Sequence, residues 1–304
     1  MPIPDYQTLM LPVLRLTDDG NEHPVTDIRN QIADAFQLTP EELSQKLKSG
    51  STLFANRVAW AISYLNKAQL LTLTTRGVYR ITDRGATFLK GNPPAITAKN
   101  LRQFPEFINF HGRGDSSDSE AQPSAASDDN DKETPEERLE SSFQILRDAL
   151  AGELLQVLLS GTPAAFEKVV VDLLVAMGYG GSLEDAERVV GRSGDGGIDG
   201  VIKQDKLGLD VVYVQAKRWK DVVGSPEIMK FSGSLTKRHA GKGVFITTSY
   251  FSKDALDYVE AIPQKIVLID GAKLASFMID HNVGVTPAKS YILKRLDQDY
   301  FESL

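Results

Sequence analysis

From Thr162 onward, helical and strand patterns alternate along the chain, and this alternation limits the possible folds more than any other feature. Strands are predicted at about Arg188–Val190, Ile198–Ile202 and Val211–Arg218. The last two are joined by a polar turn, so they should form an antiparallel hairpin. The chain then reads as helix, buried strand Gly243–Thr248, helix, strand Ile266–Ile269 and helix. A hairpin that leads into β-α-β units predicts an α/β fold, with a mixed sheet flanked by helices on both faces.

Residues 1–92 have a different pattern, which is typical of a helical domain that ends in a small hairpin. Helices are predicted over Val25–Phe36 and Leu53–Leu70, and Thr39-Pro40-Glu41-Glu42 is a capping box that starts another helix. The run Leu71–Thr74 and the run Val78–Thr82 are separated by a glycine turn and read as a β-hairpin. Helices followed by a hairpin resemble a winged-helix domain.

In a winged helix, the helix that starts near Ser51 would enter a DNA groove. Asn56 and Arg57 lie off its apolar face, and Arg76 and Arg80 make the hairpin basic. These four residues are the predicted DNA contacts of the first domain. The alternatives are that Asn56 and Arg57 only solvate a helix, and that the domain binds protein.

The segment 93–137 differs in charge from both of its neighbours. It carries 4 Lys and Arg against 10 Asp and Glu, and so contributes most of the chain's net charge of −7. Residues 112–131 hold almost no large apolar side chains, so the segment is predicted to be a flexible acidic linker. Such a linker solvates itself, or it masks a DNA-binding face. Thr134-Pro135-Glu136-Glu137 then caps a helix, which leaves 138–304 as the second domain.

Composition excludes several classes of protein. The chain has no cysteine, so disulfides and Cys-ligated metal sites are excluded. The start Met1–Asp5 does not read as a signal peptide, and no window has the ~18 consecutive apolar residues of a membrane span. A cytoplasmic protein without a membrane partner is expected. The negative net charge argues weakly against nucleic acid.

The predicted hairpin carries residues that suit metal-assisted hydrolysis of a phosphodiester. Asp199 follows a glycine-rich run, and Gln215 and Lys217 share one face of the next strand because side chains alternate. Mg²⁺ prefers oxygen ligands, so Asp199 and the Gln215 amide oxygen are the predicted metal ligands. Lys217 would orient the attacking water or stabilise charge on the phosphate. Asp195, four residues before Asp199, would assist or hold the turn.

Each of these residues also has a purely structural interpretation. A hairpin with polar turn residues and an exposed lysine would show the same local pattern. Arg192, Ser193 and Arg218 flank the hairpin and could grip phosphates, but Arg218 reads slightly better as a surface charge. Trp219 is more consistent with packing than with stacking on a base.

The order Gly194-Asp195-Gly196-Gly197-Ile198-Asp199-Gly200, then Val214-Gln215-Ala216-Lys217-Arg218-Trp219, resembles the catalytic domain of Mrr-type restriction endonucleases, in the PD-(D/E)xK superfamily. The resemblance continues through Gly243–Ser249 and into the first domain at Arg76–Thr82. It implies a restriction-endonuclease-like fold in which Asp199 and Lys217 match the motif and Gln215 replaces its second acidic residue. Glu167, on the preceding helix, resembles a carboxylate that often completes such sites. The alternative, that Glu167 is only a solvated surface residue, has equal weight.

The resemblance also implies an activity and partners. It predicts an endonuclease that cleaves double-stranded DNA, with modified (methylated) bases as the target and Mg²⁺, or another divalent cation such as Mn²⁺, as cofactor. Because cutting both strands needs two active sites or successive nicks, a homodimer or a higher homo-oligomer is expected. Two rivals remain: a DNA-binding regulator with an inert nuclease-like domain, and a repair or junction-resolving nuclease of the same superfamily.

Overall fold

The computed structural model describes residues 2–111, 132–180, 198–204, 210–294, 296–297 and 299–300. The chain divides into two compact units, Met1–Gln144 and Ile145–Leu304. The boundary between them falls within one helix, Pro135–Ser160. Each unit has its own hydrophobic core and is described separately below.

The first unit combines helices with a three-stranded antiparallel sheet in the order β1-β3-β2. Its elements are α1 (Tyr6–Leu16), β1 (His23–Pro24), α2 (Val25–Ala35), α3 (Pro40–Ser44), α4 (Leu53–Lys67), β2 (Leu71–Thr75), β3 (Val78–Ile81), α5 (Asp83–Lys90), α6 (Ala98–Leu101), α7 (Pro105–His111) and the start of α8 (Pro135–Ser160). The predicted hairpin is therefore confirmed as β2–β3, and Gly77 takes a positive φ of 69° in its turn.

Helix α4 is the centre of this unit, because its apolar side chains recur at helical spacing and are buried on one face. Val58 and Leu65 are fully buried, and the Tyr64 ring makes edge contacts with Tyr6 of α1 and Phe107 of α7. The predicted capping box at Thr39 is present, since its side chain and that of Glu42 bond each other's backbone N–H groups. Local sequence signals thus place the helices correctly.

The segment 93–137 differs from the predicted linker in its first half. Helices α6 and α7 lie within it, and Leu101 and Phe107 are completely buried in the core of the first unit. Burial of these apolar side chains offsets the ordering entropy of this part of the segment, whereas residues 112–131 hold almost no large apolar side chains. The packed part of the first unit therefore extends past residue 92. Residues 112–131 lie outside the described part of the chain, so a flexible linker there stays a prediction.

The second unit is built on a four-stranded mixed sheet in the order β4-β5-β6-β7. Strands β4 and β5 are antiparallel, whereas β5, β6 and β7 are parallel neighbours. The elements after α8 are α9 (Pro163–Ala176), β4 (Gly200–Lys203), β5 (Val211–Lys217), α10 (Ser225–Lys237), β6 (Lys242–Thr247), α11 (Lys253–Ala261), β7 (Lys265–Ile269) and α12 (Gly271–Asp280).

Helices cover both faces of this sheet. Side chains of α8, α9 and α12 form one core with alternate strand residues such as Val214 and Ala216. Side chains of α10 and α11 form the other core, which contains Phe231 and Phe245. The mixed α/β sheet with helices on both faces is thereby confirmed. Because β5 and β6 run parallel, their carboxyl ends lie at the same edge of the sheet.

Two further predictions concern a strand before β4 and the absence of a membrane span. The predicted strand at Arg188–Val190 lies outside the described residues. None of the helices in the described parts of the chain combines the length and apolar character that a membrane crossing requires.

Candidate active site

Asp199 lies directly before β4 and is bound to β5 through both backbone and side chain. Its N–H donates to the Val214 carbonyl at 2.9 Å. Its Oδ2 accepts a hydrogen bond from the Ala216 N–H at 2.8 Å. The antiparallel pairing of β4 with β5 therefore holds this carboxylate beside the strand that carries the two other predicted residues.

Gln215 is buried in the middle of β5, with only 1% of its surface exposed. Its side-chain Oε1 has no hydrogen-bond partner among the described residues. A buried amide oxygen without a partner costs on the order of 1–3 kcal/mol, so such groups usually have a structural or functional explanation. Gln215 and Lys217 lie on the same side of β5, and Lys217 is partly exposed at the strand's carboxyl end.

Glu167 of α9 shares the electrostatic environment of this site. Burial raises the pKa of the Glu167 carboxyl above its usual range, the negative charge of Asp199 raises it further, and the Lys217 ammonium partly opposes both effects. Glu167 of α9 is therefore near enough to Asp199 and Lys217 for their charges to affect its pKa, although the three residues come from separate elements. The site thus contains two carboxylates, one buried amide oxygen and one ammonium group.

The composition of the site fits a hard divalent cation. Among the described residues, no group of three or more His, Cys, Asp or Glu side chains could hold a metal ion. An oxygen-preferring ion such as Mg²⁺ needs few protein carboxylates and keeps several waters. The Asp199 carboxylate and the unpartnered Gln215 oxygen are ligands of the kind that such an ion prefers. Asp195, Arg192 and Ser193 lie outside the described residues.

Arg218 was predicted to grip a phosphate or, slightly better, to be a surface charge, and its side chain is bonded within its own unit. Its guanidinium donates through Nη1 to the Leu159 carbonyl in the last turn of α8. Its Nε is buried and has no partner in the described part of the chain. Arg218 therefore ties the end of β5 to the end of α8, as its basic side chain suits the negative end of a helix dipole. Trp219 packs partly buried against the second core, as predicted.

The polar face of α4 is covered by the start of α8, within the first unit. The Arg57 guanidinium forms an ion pair with Glu137 at 2.6 Å and also donates to the carbonyls of Ile3 and Pro4. Asn56 Oδ1 accepts a hydrogen bond from the Thr134 hydroxyl at 2.8 Å.

The contact continues one turn further along α4. The Trp60 indole N–H donates to Glu136 at 2.5 Å. Asn56 and Arg57, which were predicted to contact DNA or to solvate a helix, are thus both engaged by their own chain. We call this set of bonds the α4–α8 contact. No local signal in the sequence marks it, since Arg57 and Glu137 are 80 residues apart.

The two hairpin arginines lie elsewhere in the first unit. Arg80 is exposed on β3 opposite Thr72, and Arg76 is exposed at the turn that joins β2 to β3. The structure thus separates the four predicted contacts of this unit into two groups. Asn56 and Arg57 support the fold, and Arg76 and Arg80 remain on the surface of the hairpin.

Comparison with known proteins extends these observations. Residues 158–278 match the family described as restriction endonuclease, and residues 6–91 match the family described as the Mrr N-terminal domain. The chain is 39% identical to the type IV methyl-directed restriction enzyme EcoKMrr of Escherichia coli strain K12, over 99% of this chain and 100% of that protein.

Two solved structures show weaker similarity. A complex of the MspJI restriction endonuclease with a 27-mer oligonucleotide has a TM-score of 0.29 and 21% identity, and covers 67% of this chain and 44% of its own. The DNA modification-dependent restriction endonuclease AspBHI has a TM-score of 0.37 and 16% identity, and covers 71% of this chain and 56% of its own. The chain spans about half the length of each.

Two matched families and a full-length relative define the class of this protein. The chain belongs to the family of Mrr-type restriction endonucleases. It is accordingly an endonuclease, which is a hydrolase by class. The resemblance found in the glycine-rich run and the strand Val211–Lys217 is confirmed at the level of the family.

Proposed function

We propose that the chain is a type IV-like restriction endonuclease that hydrolyses phosphodiester bonds in modified DNA with the help of a divalent metal ion. The observation that carries this proposal is the site formed by Asp199, Gln215 and Lys217, in which a buried amide oxygen has no partner among the described residues. The E. coli relative is a type IV methyl-directed restriction enzyme, and the full-length similarity supports the same class here.

Asp199 and Gln215 would hold Mg²⁺, or another divalent cation such as Mn²⁺. When bound, such an ion polarises the phosphoryl oxygen and makes hydroxide available near neutral pH. The hydrogen bond from Ala216 fixes the orientation of the Asp199 carboxylate, so one of its oxygens is held and the group cannot rotate freely. The replacement of an acidic residue by Gln215 lowers the negative charge of the site by one.

Lys217 would contact the scissile phosphate or orient the attacking water. Its ammonium group would offset the charge that develops on the phosphate as water attacks the phosphorus and the ester bond breaks. Glu167 would serve as a proton acceptor for that water, because a raised pKa brings a carboxylate closer to the range of an effective general base. Asp195, Arg192 and Ser193 keep their predicted supporting and phosphate-binding roles as parts of this proposal.

The first unit would recognise double-stranded DNA as a winged helix, in which β2–β3 is the wing. Exposed Arg80 and Arg76 on that hairpin favour contacts with phosphates, which attract basic side chains regardless of sequence. The α4–α8 contact argues against Asn56 and Arg57 as the residues that read bases. Because double-strand cleavage needs two sites or two successive nicks, a homodimer or a larger assembly acting in the cytoplasm completes the proposal.

The decisive experiment compares Asp199→Ala and Lys217→Ala with the wild-type protein on methylated and unmethylated plasmid, with Mg²⁺ and with EDTA. We expect each substitution to lower the cleavage rate by on the order of 10³-fold, since a single group that stabilises developing charge commonly contributes this much. Lys265→Ala is the matched control, because this exposed lysine begins β7 at the opposite end of the parallel strands. Full cleavage by both site variants would overturn the assignment.

The rival of a DNA-binding regulator has one argument, the loss of a charge at Gln215. It predicts methylation-dependent binding without any metal-dependent nicking. The same plasmid experiment separates the two, because the regulator would retard methylated DNA in a gel but leave the supercoiled form intact. A nuclease that prefers branched to methylated linear DNA would instead favour the repair or junction-resolving alternative.

A further inference from the structure

The chain directly after Lys217 is bound to the segment that follows β6. The Thr248 hydroxyl donates to the Trp219 carbonyl at 2.7 Å, and the Ser249 hydroxyl donates to the Lys220 carbonyl at 3.1 Å. We infer that Thr248 and Ser249 are positioning residues for Lys217, which set the path of the strand end that carries its ammonium group. This inference rests on the proposed function of Lys217.

Both hydroxyl groups belong to side chains that are almost completely buried. Thr248 and Ser249 are each 7% exposed, although threonine and serine usually lie at the surface. A buried hydroxyl needs a partner, and here each partner is a backbone carbonyl within three residues of Lys217. The two bonds are therefore specific in direction and do not depend on water.

The segment that provides these hydroxyls is itself firmly anchored. The Ser249 N–H donates to the hydroxyl oxygen of fully buried Thr247, and the Ser249 carbonyl accepts from the Gly271 N–H at 2.8 Å. A Cβ atom at Gly271 would lie 2.5 Å from the Thr248 carbonyl oxygen, so α12 begins in direct contact with this segment. Thr248 and Ser249 thus connect the strand end to the start of α12, whose side chains belong to the core that also contains α8 and α9.

A second set of bonds continues the same connection beyond Lys220. The Val223 N–H donates to the Tyr250 carbonyl at 2.9 Å, and the Ser252 N–H donates to the Val223 carbonyl at 3.0 Å. The segment 219–223 is therefore fixed along its length by the segment 248–252. Because Lys217 is the last residue of β5, these bonds hold the chain from the point where the sheet hydrogen bonds of β5 end.

Fixing the strand end matters because catalysis is sensitive to small displacements. A shift of about 1 Å in a catalytic group can lower the rate ~100-fold even when the substrate still binds. Lysine has a flexible stem, so its reach is defined mainly by where its backbone is held. The geometry therefore predicts an effect on the chemical step and not on DNA affinity, because neither hydroxyl lies on the exposed surface.

The test is the pair Thr248→Val and Thr248→Ser in the full-length protein, with Ser249→Ala as an independent variant. Thr248→Val keeps the shape and loses the donor, whereas Thr248→Ser keeps the donor. We expect kcat for plasmid nicking to fall about 10- to 100-fold in Thr248→Val with an unchanged KM, and to recover in Thr248→Ser. Ser249→Ala should show a smaller fall in kcat, in line with its longer bond.

Thr17→Val is the matched control. Thr17 is fully buried, and its hydroxyl donates to the Leu14 carbonyl at 2.9 Å in the first unit. We expect this variant to lose thermal stability without a change in kcat. Equal losses of kcat in Thr17→Val and Thr248→Val, or a wild-type kcat in a folded Thr248→Val, would overturn the inference. If Thr248→Val does not fold, a wild-type kcat in Ser249→Ala would likewise overturn the inference. Lys217→Ala is measured alongside: its full activity would refute the proposed function itself.

Discussion

The polar face of α4 and the end of β5 each carry side chains of the types that bind ligands, but they differ in how those side chains are satisfied. On α4, the Arg57 guanidinium bonds Glu137 and two backbone carbonyls. On β5, the buried Gln215 oxygen has no partner among the described residues. The Arg57 guanidinium on α4 is hydrogen-bonded within its own unit. The Gln215 oxygen on β5 can still accept a hydrogen bond or bind a metal ion, because no described residue bonds it.

This difference separates structural polar groups from functional ones. Each charge of a buried ion pair with several hydrogen bonds is compensated, so removing one partner destabilises the fold by leaving the other charge buried and unpaired. A buried amide oxygen without a partner costs stability, and proteins tend to retain such groups at sites of function. The raised pKa of Glu167, caused first by burial and then by Asp199, is a second departure of this kind at the same site.

The largest expected effect is on activity, from Gln215→Met. The substitution removes the amide oxygen with little change in side-chain volume, so we expect cleavage with Mg²⁺ to fall by at least about 100-fold, because even outer-shell partners of a metal commonly contribute roughly 10- to 100-fold. The free energy of unfolding without metal should stay at or above the wild-type value, because the substitution removes a buried oxygen that has no partner among the described residues. Plasmid cleavage and urea unfolding measure the two effects.

Gln215→Glu is the control for this substitution, because a carboxylate restores an oxygen ligand and adds a charge that Mg²⁺ favours. We expect it to keep cleaving at lower Mg²⁺ concentrations than Gln215→Met requires. A fully active Gln215→Met protein would show that the unpartnered oxygen has no role in cleavage. An unsatisfied polar group on β5 would then be no more functional than the satisfied ones on α4.

The second effect is on stability, from Glu137→Ala in the α4–α8 contact. Arg57 and Glu137 side chains are only 16% and 11% exposed, so the substitution leaves a buried cation without its partner. Breaking such a pair typically costs about 3 kcal/mol. The exposed pair Lys168–Asp172 is the matched control, at 69% and 50% exposure, and Asp172→Ala should cost less than about 0.5 kcal/mol. Chemical unfolding measures both.

Measurements of DNA binding distinguish the exposed hairpin arginines from the residues of the α4–α8 contact. Arg80→Ala should leave unfolding unchanged but reduce the salt dependence of DNA binding by about one phosphate contact. Glu137→Ala, measured where the protein is folded, should leave that dependence unchanged. A stable Glu137→Ala protein with altered DNA affinity would place α4 back among the DNA-reading elements.

Local patterns in the sequence predicted most of this architecture. The reciprocal capping box at Thr134 and Glu137 forms as its spacing indicates, with the two bonds at 3.3 and 2.9 Å. The side-chain alternation of β5 placed Gln215 and Lys217 on one face, opposite Val214 and Ala216 in the first core of that unit. These features depend only on residues a few positions apart, which is why a single sequence reveals them.

Features that depend on distant residues were not predictable. The pairing of Arg57 with Glu137 joins positions 80 residues apart, and in their local context Arg57 looks like a solvated charge and Glu137 like a helix-capping residue. Arg218 likewise binds a carbonyl 59 residues away. Leu101 and Phe107 are buried although they belong to a segment of mostly polar composition. In each case tertiary packing decides the outcome, and local composition misleads.

The smallest expected effect is the pH dependence of stability that Glu167 contributes at the metal-free site. Burial and the charge of Asp199 raise the pKa of the Glu167 carboxyl above its ordinary value of 4.5, so the folded state holds this proton more tightly than the unfolded state. The contribution of Glu167 to stability is therefore fully present below the ordinary pKa and is lost as the pH rises through the raised one.

Glu167→Gln removes this titration, because the amide stays neutral at every pH. In EDTA, the variant should match the wild type near pH 4 and be more stable than it near neutral pH, as measured by urea unfolding at several pH values. Glu260→Gln, at an exposed position on α11, controls for the loss of one carboxylate. A wild-type protein that gains stability relative to Glu167→Gln as the pH rises would reverse the sign. Glu167 would then be a carboxylate satisfied by its surroundings, like Glu137 of the α4–α8 contact, and would not share the unsatisfied character of Gln215 on β5.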